Sequence, residues 1–357
     1  PTIGSIAPIT KIFGDAAFNL TAPTSNSTGA FSYASSDSNV VSIIGTTVTI
    51  VGAGTATITA SQAGDANYDP RSVTTTITVN KAVATLSAMT AVTKNFGDAS
   101  FNLVVPTSAA TGAITFASSN TNVATINGNT ISIIGAGTTT ITATQATDSN
   151  YLEATTSTTL TVNKIAPSLG SMTAINKTFG DANFTITPPS TNSTGAFAYT
   201  SSDTNVATIT GDVVSIVGAG TATISVAQAT DSNYLAAATS VSLTVNKAPV
   251  VFGTTTAITK NYGDADFILT PPQTNSTGTF TYTSNNPSIA TINGNLVTIH
   301  GIGTTTITVN QATTTNYLSG STTISLVVNK TLPTIGSIAP ITKIFGDAAF
   351  NLTAPTS

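Results

Sequence analysis

Gly52-Ala53-Gly54-Thr55-Ala56-Thr57-Ile58-Thr59 sets a glycine turn before a strictly alternating run, and that alternation decides the fold. Ala56 and Ile58 fall on one face and Thr55, Thr57 and Thr59 on the other, which is the period of a strand with one side buried. Threonine suits the outer side because its branched Cβ fits the pleat while its hydroxyl faces water. Working outward, the same pattern sets Phe18, Leu20 and Ala22 against Asn19 and Thr21, and Phe31 and Tyr33 around Ser32. It continues through Val41 and Ile43, Val48 and Ile50, and then Val73, Ile77 and Val79, with Thr74, Thr76 and Thr78 facing out. Thr28-Gly29, Gly45 and Gly64-Asp65 supply the remaining tight positions between runs. No sustained i, i+3, i+4, i+7 stripe occurs, so no long helix is expected. About seven short alternating strands in ~80–100 residues describe an immunoglobulin-like sandwich.

The unit repeats. Lys-x-Phe/Tyr-Gly-Asp-Ala stands at Lys11–Ala16, Lys94–Ala99, Lys177–Ala182, Lys260–Ala265 and Lys343–Ala348, each copy 83 residues after the last. Gly-x-Gly-Thr (Gly52, Gly135, Gly218, Gly301) and Val-Asn-Lys (Lys81, Lys164, Lys247, Lys330) keep the same offset with no insertion. The expected modules are 1–82, 83–165, 166–248 and 249–331, with 332–357 the start of a further one. Pro333–Ser357 duplicates Pro1–Ser25 without a mismatch at an offset of 332, four times 83. That reads as one four-module super-repeat and the beginning of the next, within a longer parent; the alternative is a chain deliberately extended by a stub. The first residue is Pro1 rather than Met, which reads as a fragment or processed product, so the lack of a visible signal peptide says little about export.

Composition narrows the function. Hydrophobic residues make up 40% of the 357, enough for packed cores, while charged residues make up only 7%. Ten basic residues and a net charge of −4 leave no face able to neutralise a run of phosphates, so nucleic acid is not an expected partner. The same scarcity argues against an electrostatic membrane patch, and no apolar run approaches the ~18 residues of a transmembrane helix. The absence of Cys removes disulfides and thiolate metal sites. It does not point to the cytosol, since many bacterial secreted proteins also avoid Cys.

Ser118-Ser119-Asn120-Thr121-Asn122-Val123-Ala124-Thr125-Ile126 followed by Gly135-Ala136-Gly137-Thr138-Thr139-Thr140-Ile141-Thr142-Ala143 resembles the bacterial immunoglobulin-like repeat. Tyr262-Gly263-Asp264 resembles a related group of tandem repeats in large secreted bacterial proteins. The likeness covers all four modules. It implies an all-β fold of immunoglobulin-like sandwiches arranged end to end, a bacterial cell-surface setting, and a stalk or spacer role in adhesins and surface-layer proteins. No atypical terminal domain, where such proteins usually keep their binding specificity, is present.

The linker after Asn80-Lys81 runs through Ala82-Val83-Ala84 with no Gly/Ser or Pro-rich spacer, so consecutive modules are expected to hold a nearly fixed orientation. Strands of this length make each module ~35–45 Å long and four modules roughly 150 Å. The small module buries only ~60–65% of its unfolded surface, so contacts with neighbouring modules matter.

Each candidate site has a plainer counterpart. The Lys and Asp of Lys-x-Phe/Tyr-Gly-Asp read as a Gly-Asp turn with a lysine at a module junction, worth ~0–1 kcal/mol as a surface pair. A spontaneous Lys–Asn/Asp isopeptide bond would need a buried acid, and Glu153 is the only Glu. Asp65 and Asn67, Asp148 and Asn150, and Asp231 and Asn233 have the Asp-x-Asn spacing that directs two oxygens to one side of a calcium loop. The fourth module has Thr314 there, without a carboxylate, and the plainer reading is an Asx turn before Tyr68, Tyr151, Tyr234 and Tyr317, whose rings pack as a corner. Ranked Thr-x-Thr rows suit ice or polysaccharide but are also the default solvent face. His300 stands where Val51 and Val217 stand elsewhere, a tolerated change at a strand end. Sequons such as Asn26-Ser27-Thr28 arise freely in Asn/Thr-rich sequence. No base–nucleophile set is visible and Gly-x-Gly-Thr lies between strands, so neither catalysis, nor a cofactor, nor a nucleotide site is expected. The leading expectation is a structural segment of a bacterial extracellular adhesin or filament, its partners being neighbouring modules and other copies in fibres. The alternative is an array of modules that bind carbohydrate or protein.

Overall fold

Alternation becomes strand wherever two such runs can pair. The computed structural model describes residues 1–357, and every module is built of strands. In the first they are β1 (Ile9–Ile12), β2 (Phe18–Asn19), β3 (Phe31–Ser35), β4 (Val41–Ile44), β5 (Thr47–Ile50), β6 (Gly54–Gln62) and β7 (Arg71–Asn80). One sheet has the order β1-β7-β6-β3 and the other β2-β5-β4. β6 and β7 form the long antiparallel hairpin, from Gly54↔Val79 to Gln62↔Arg71. β1 lies parallel to β7, with Ile9 opposite Ile77, while β2 has crossed to pair with β5. A chain that starts on one sheet and crosses to the other, with Greek-key pairing, is the immunoglobulin-like sandwich. The same two sheets recur in the second, third and fourth modules. The fold is all-β, in tandem immunoglobulin-like modules.

Each core lies between the two sheets. Val41 and Val48 from one sheet meet Ala56, Ile58, Ile77 and Val79 from the other, with Leu20 and Val40 closing the ends. The outward threonines pair across β6 and β7 as Thr55–Thr78, Thr57–Thr76 and Thr59–Thr74. Two details depart from the simple pattern. Ala22 is exposed, because β2 stops at Asn19 and the alternation ends at Leu20. Thr75 points inward and keeps its hydroxyl satisfied by donating to the Ala7 carbonyl at 3.0 Å. Gly45 is the first of two residues joining β4 to β5, and its φ of +63° is the left-handed conformation that a type II′ hairpin asks of that position.

Tyr33 on β3 carries a buried hydroxyl with no hydrogen-bond partner, and burial raises its pKa. The second module has Phe116 at the matching position. Replacing Tyr33 by Phe is therefore expected to raise stability, by up to about 1 kcal/mol, because an unsatisfied buried polar group is removed without changing the ring. Thermal unfolding checks this; a clear fall in melting temperature would mean that the hydroxyl has a partner.

The chain gathers into two compact units. One holds the first two modules with the loops Ser193–Gly195 and Thr230–Ala236; the other holds the remainder of the third module, the fourth, and the residues to Ser357. Within the second unit, residues 333–357 contain no strand, although their sequence is that of residues 1–25. Local features persist. Asp347 still closes its turn, donating to Ile344 O at 3.1 Å and accepting from Ile344 N at 3.0 Å, and Lys343 lies over the Phe350 ring at 4.7 Å. The buried positions do not persist: Leu20 is 8% exposed and its duplicate Leu352 is 68% exposed.

Candidate functional site: the module junctions

In the first three modules the loop between the two long strands is shaped by its Asp. In the second module Asp148 Oδ1 accepts from the amides of Asn150 and Tyr151, both at 2.8 Å, an Asx turn. Its Oδ2 accepts from Thr111 N at 2.7 Å and Thr111 Oγ1 at 3.0 Å, which ties the loop to a neighbouring one. Asp65 holds the amides of Asn67 and Tyr68 and takes Ser27 and Thr28 on its other oxygen. Asp231 does the same with Asn233, Tyr234, Ser193 and Thr194. Both oxygens of each carboxylate are thus engaged by N–H and O–H donors.

The turn delivers the next two side chains to the preceding module. Asn150 Oδ1 accepts from the Ala53 amide of the first module at 2.9 Å, in the middle of Gly52-Ala53-Gly54. The Tyr151 ring meets Phe13 edge-on, with centroids 5.3 Å apart at 84°. Lys81 Nζ donates to the Asp148 carbonyl at 2.5 Å and to Thr147 Oγ1 at 3.2 Å. The linker is itself a short strand: β8 (Ala82–Val83) pairs parallel with Tyr151–Leu152. Gly52 lies buried under this contact, where a Cβ would come within 2.5 Å of the Asn39 carbonyl and 3.3 Å of Asn150 Oδ1.

The same contacts recur at the next two junctions. Asn233 Oδ1 accepts from Ala136 N at 2.9 Å, Phe96 meets Tyr234 at 5.5 Å, and Lys164 reaches the Asp231 carbonyl. Asn316 Oδ1 accepts from Ala219 N at 2.8 Å, Phe179 meets Tyr317 at 5.4 Å, and Lys247 reaches the Thr314 carbonyl at 2.6 Å. In the fourth module Thr314 replaces the Asp, and its Oγ1 accepts from Tyr317 N at 3.1 Å; the carboxylate is dispensable to the junction while Asn and Tyr remain. An edge-on aromatic pair and two or three hydrogen bonds, one from a charged donor, contribute on the order of 3 kcal/mol per junction.

These positions revise several expectations. The rings of Tyr151, Tyr234 and Tyr317 pack across the junction onto the Phe of Lys-x-Phe-Gly-Asp rather than as corners of their own modules. The Lys of that motif is not the bridging one: Lys11, Lys94, Lys177 and Lys260 lie over Phe18, Phe101, Phe184 and Phe267 of their own modules at 4.8–4.9 Å. Bridging falls to the Lys of Val-Asn-Lys. Asp15 closes its Gly-Asp turn by accepting from Ile12 N at 2.9 Å, as the plain reading of that motif expected. Glu153 is exposed, and His300 is exposed with its ring nitrogen 2.7 Å from Thr291 Oγ1.

One repeated residue escaped the sequence reading. Gln62, Gln145, Gln228 and Gln311 are buried at the ends of their strands. Gln145 Nε2 donates to the carbonyls of Ala110 and Gly112 at 2.9 and 3.2 Å, pinning the loop that Asp148 holds from the other side. The signal was available: Gln continues the inward series Ala56, Ile58, Ala60, Gln62, and recurs every 83 residues.

Hydrogen bonds to the charged form lower the pKa of all three Asp, Asp148 to about 2 through Thr111 and Asn150 first, Asp65 through the Asn67 amide first and Asp231 through the Thr194 amide first. A folded pKa under the unfolded ~3.9 gives stabilisation that is complete above that value and lost as pH falls through the folded one. The first three modules are expected to weaken between about pH 4 and pH 2 by this route, and the fourth, with Thr314, is not. Amide exchange at acid pH resolves the modules; equal weakening of all four would refute the assignment.

Residues 273–313 match the intimin immunoglobulin-like domain family. That segment runs from before the third strand of the fourth module to the loop after its sixth, Gly303–Gln311. No curated protein matches the sequence. Among solved structures, Sidekick-1 immunoglobulin domains 1–5 align over 92% of this chain and 81% of theirs, at 11% identity and a TM-score of 0.31. Drosophila N-cadherin EC1-4 aligns over 92% of this chain and 100% of its own, at 10% identity and 0.27. Domains 1–6 of surface layer protein SbsC align over 94% and 56%, at 16% identity and 0.21.

Proposed function

We propose that this chain is a stalk segment of a bacterial extracellular adhesin or surface filament, with repeats of the YGD-bearing immunoglobulin-like kind, supplying reach and mechanical continuity. The observation that carries it is the junction: an Asn, a Tyr, a Phe and a Lys make the same contacts three times, and the linker has no slack. The match of residues 273–313 to an intimin immunoglobulin-like domain supports an adhesin-type array. The load path within a module supports it too. β1 enters and β7 leaves side by side and parallel, paired from Ile9↔Ile77 to Ile12↔Asn80, so tension loads those hydrogen bonds together in shear.

Stretching single chains tests the proposal. Separate peaks are expected, spaced by the length of one module, roughly 250 Å at ~3.5 Å per extended residue less the folded length. Featureless extension at low force would sink it, as would small-angle scattering from a compact or flexibly coiled particle. In this reading the Asp-x-Asn loops serve the junction and hold no calcium. The melting temperature is then expected to be unmoved by EDTA, and a fall on chelation that calcium reverses would restore the metal reading.

A further inference from the structure

In the second, third and fourth modules a pit lies between the two edge strands, and the junctions make no use of it. In the second module one wall is Val92–Asn95 with the residues before it, and the other is Phe101–Asn102 with the residues after it. Each of these strands ends its sheet and has a neighbour on one side only. The space between them is about 640 Å³, lined by Met89, Val92, Leu103 and Pro106 among others. Ser87 N donates to Thr107 O and Thr107 N to Ser87 Oγ, both at 2.9 Å, which ties the walls together at one end. The turn in which Asp98 Oδ2 accepts from Asn95 N at 2.9 Å joins them at the other.

The third module repeats the pit at about 500 Å³ around Met172 and Ile175, and the fourth at about 430 Å³ around Ile258 and Ile324. Gly170 N donates to Ser190 O and Gly253 N to Gln273 O, both at 2.8 Å, closing the same end. These volumes fall within the roughly 300–1,000 Å³ usual for small-molecule sites. The lining combines apolar side chains, hydroxyls and a cation. Lys94 and Lys177 line their pits, each over a Phe ring that also lines it, and Lys260 covers Phe267 in the fourth module. No Asp or Glu lines any of the three. Lys81 donates to two oxygens across its junction, whereas the half-buried ammoniums of Lys94, Lys177 and Lys260 have neither a hydrogen bond nor an ion pair.

We infer that each of these pits binds one uronic-acid unit, a terminal or branch residue of an acidic polysaccharide. The free ammonium takes the sugar carboxylate in a charge-assisted hydrogen bond. Hydroxyls on the walls, such as Thr90, Thr173 and Thr256, match the ring hydroxyls. The carbons of Met89 and Pro106, or of Met172 and Pro188, cover the C–H face of the ring. One carboxylate carries one charge and each pit has one cation, so the charges balance. A run of phosphates would need a basic cluster that the chain lacks. The two tied ends count against an extended peptide added as a strand to either edge, because such a peptide runs along an open groove. A sugar unit entering from the mouth needs no open end.

The only two methionines of the chain, Met89 and Met172, stand one in each of two pits, so labelled methionine methyl groups give one NMR signal per pit. The full chain labelled in this way is titrated with tri-galacturonate and, separately, with its trimethyl ester, which keeps the sugars and loses the charge. Both signals are expected to move with the acid and neither with the ester. Lys94→Gln is expected to weaken binding read at Met89 by about tenfold or more and to leave Met172 as it was. Lys177→Gln reverses the pattern. The ester comparison uses the unsubstituted chain, so a variant that failed to fold would not remove the test. Signals that stay fixed in the acid, move equally with the ester, or respond alike in Lys94→Gln and the parent overturn the proposal. A tri-glutamate peptide that moves both signals at lower concentration than the sugar would make the pits peptide sites and overturn it too. None of these results bears on the stalk itself, which the stretching and scattering measurements test.

Discussion

Gly112→Ala is expected to cost the second module on the order of 4 kcal/mol or more, enough to unfold it at ambient temperature. A Cβ at Gly112 would overlap the carbonyl oxygen of Ala146, a backbone atom with little room to yield. The loop cannot retreat either. Gln145 holds the Ala110 and Gly112 carbonyls from inside, Asp148 holds Thr111 from outside, and Ala146 N donates to Ala113 O at 2.9 Å. Gly97 is the internal control. Its φ of +88° strains any other residue, but a Cβ there meets nothing within 4 Å, so Gly97→Ala is expected to cost only about 1 kcal/mol. Urea unfolding of both variants compares steric overlap with backbone strain in one domain. Equal costs would show that the Ala110–Gly112 loop is plastic and the clamp unimportant.

Leu160→Ala is the second large effect, at about 3–5 kcal/mol. Leu160 has no exposed surface and sits on the central strand Ala154–Asn163, between Thr139 and Val92 in the sheet. Its side chain joins Leu103, Val123, Ile131 and Ile141 in a core drawn from both sheets. Truncation leaves a cavity whose walls cannot close, because two paired strands flank the residue. Leu160→Met keeps the volume and is expected to cost less than about 1.5 kcal/mol. These variants also measure what the junctions do. Since Tyr151 is held by the first module and Phe96 holds Tyr234, losing the second module should weaken the loops on both sides. Calorimetry that shows the first module melting at its usual temperature in Leu160→Ala would mean that the junction transmits nothing.

The strands were legible because one side of each is dry: alternation such as Thr57-Ile58-Thr59 survives any detail of packing. The turns were legible because Gly45 and the Gly-Asp pair need conformations or side-chain caps available to few residue types. What sequence does not show is a contact whose partner is remote along the chain. By sequence Tyr151 is a corner residue, because nothing in the chain says that Phe13 lies edge-on to it. Two lysines per module look equivalent in sequence, yet one covers its own Phe ring and the other crosses the junction. Gln145 carries no local signal, because an amide at an inward position has value only through the two carbonyls that reach it.

Pro1–Ser25 and Pro333–Ser357 separate the two kinds of information, being one sequence in two settings. The sequence alone determines what lies within a few bonds: the Asp15 and Asp347 turns, the glycine φ of +90° and +98°, and a lysine over a phenylalanine seven residues on. Only the tertiary structure decides whether Ile9–Ile12 is a strand and whether Leu20 is buried. A strand has no hydrogen bonds of its own; its amides and its dry face need β7, β5 and the opposite sheet, and these are supplied from tens of residues away.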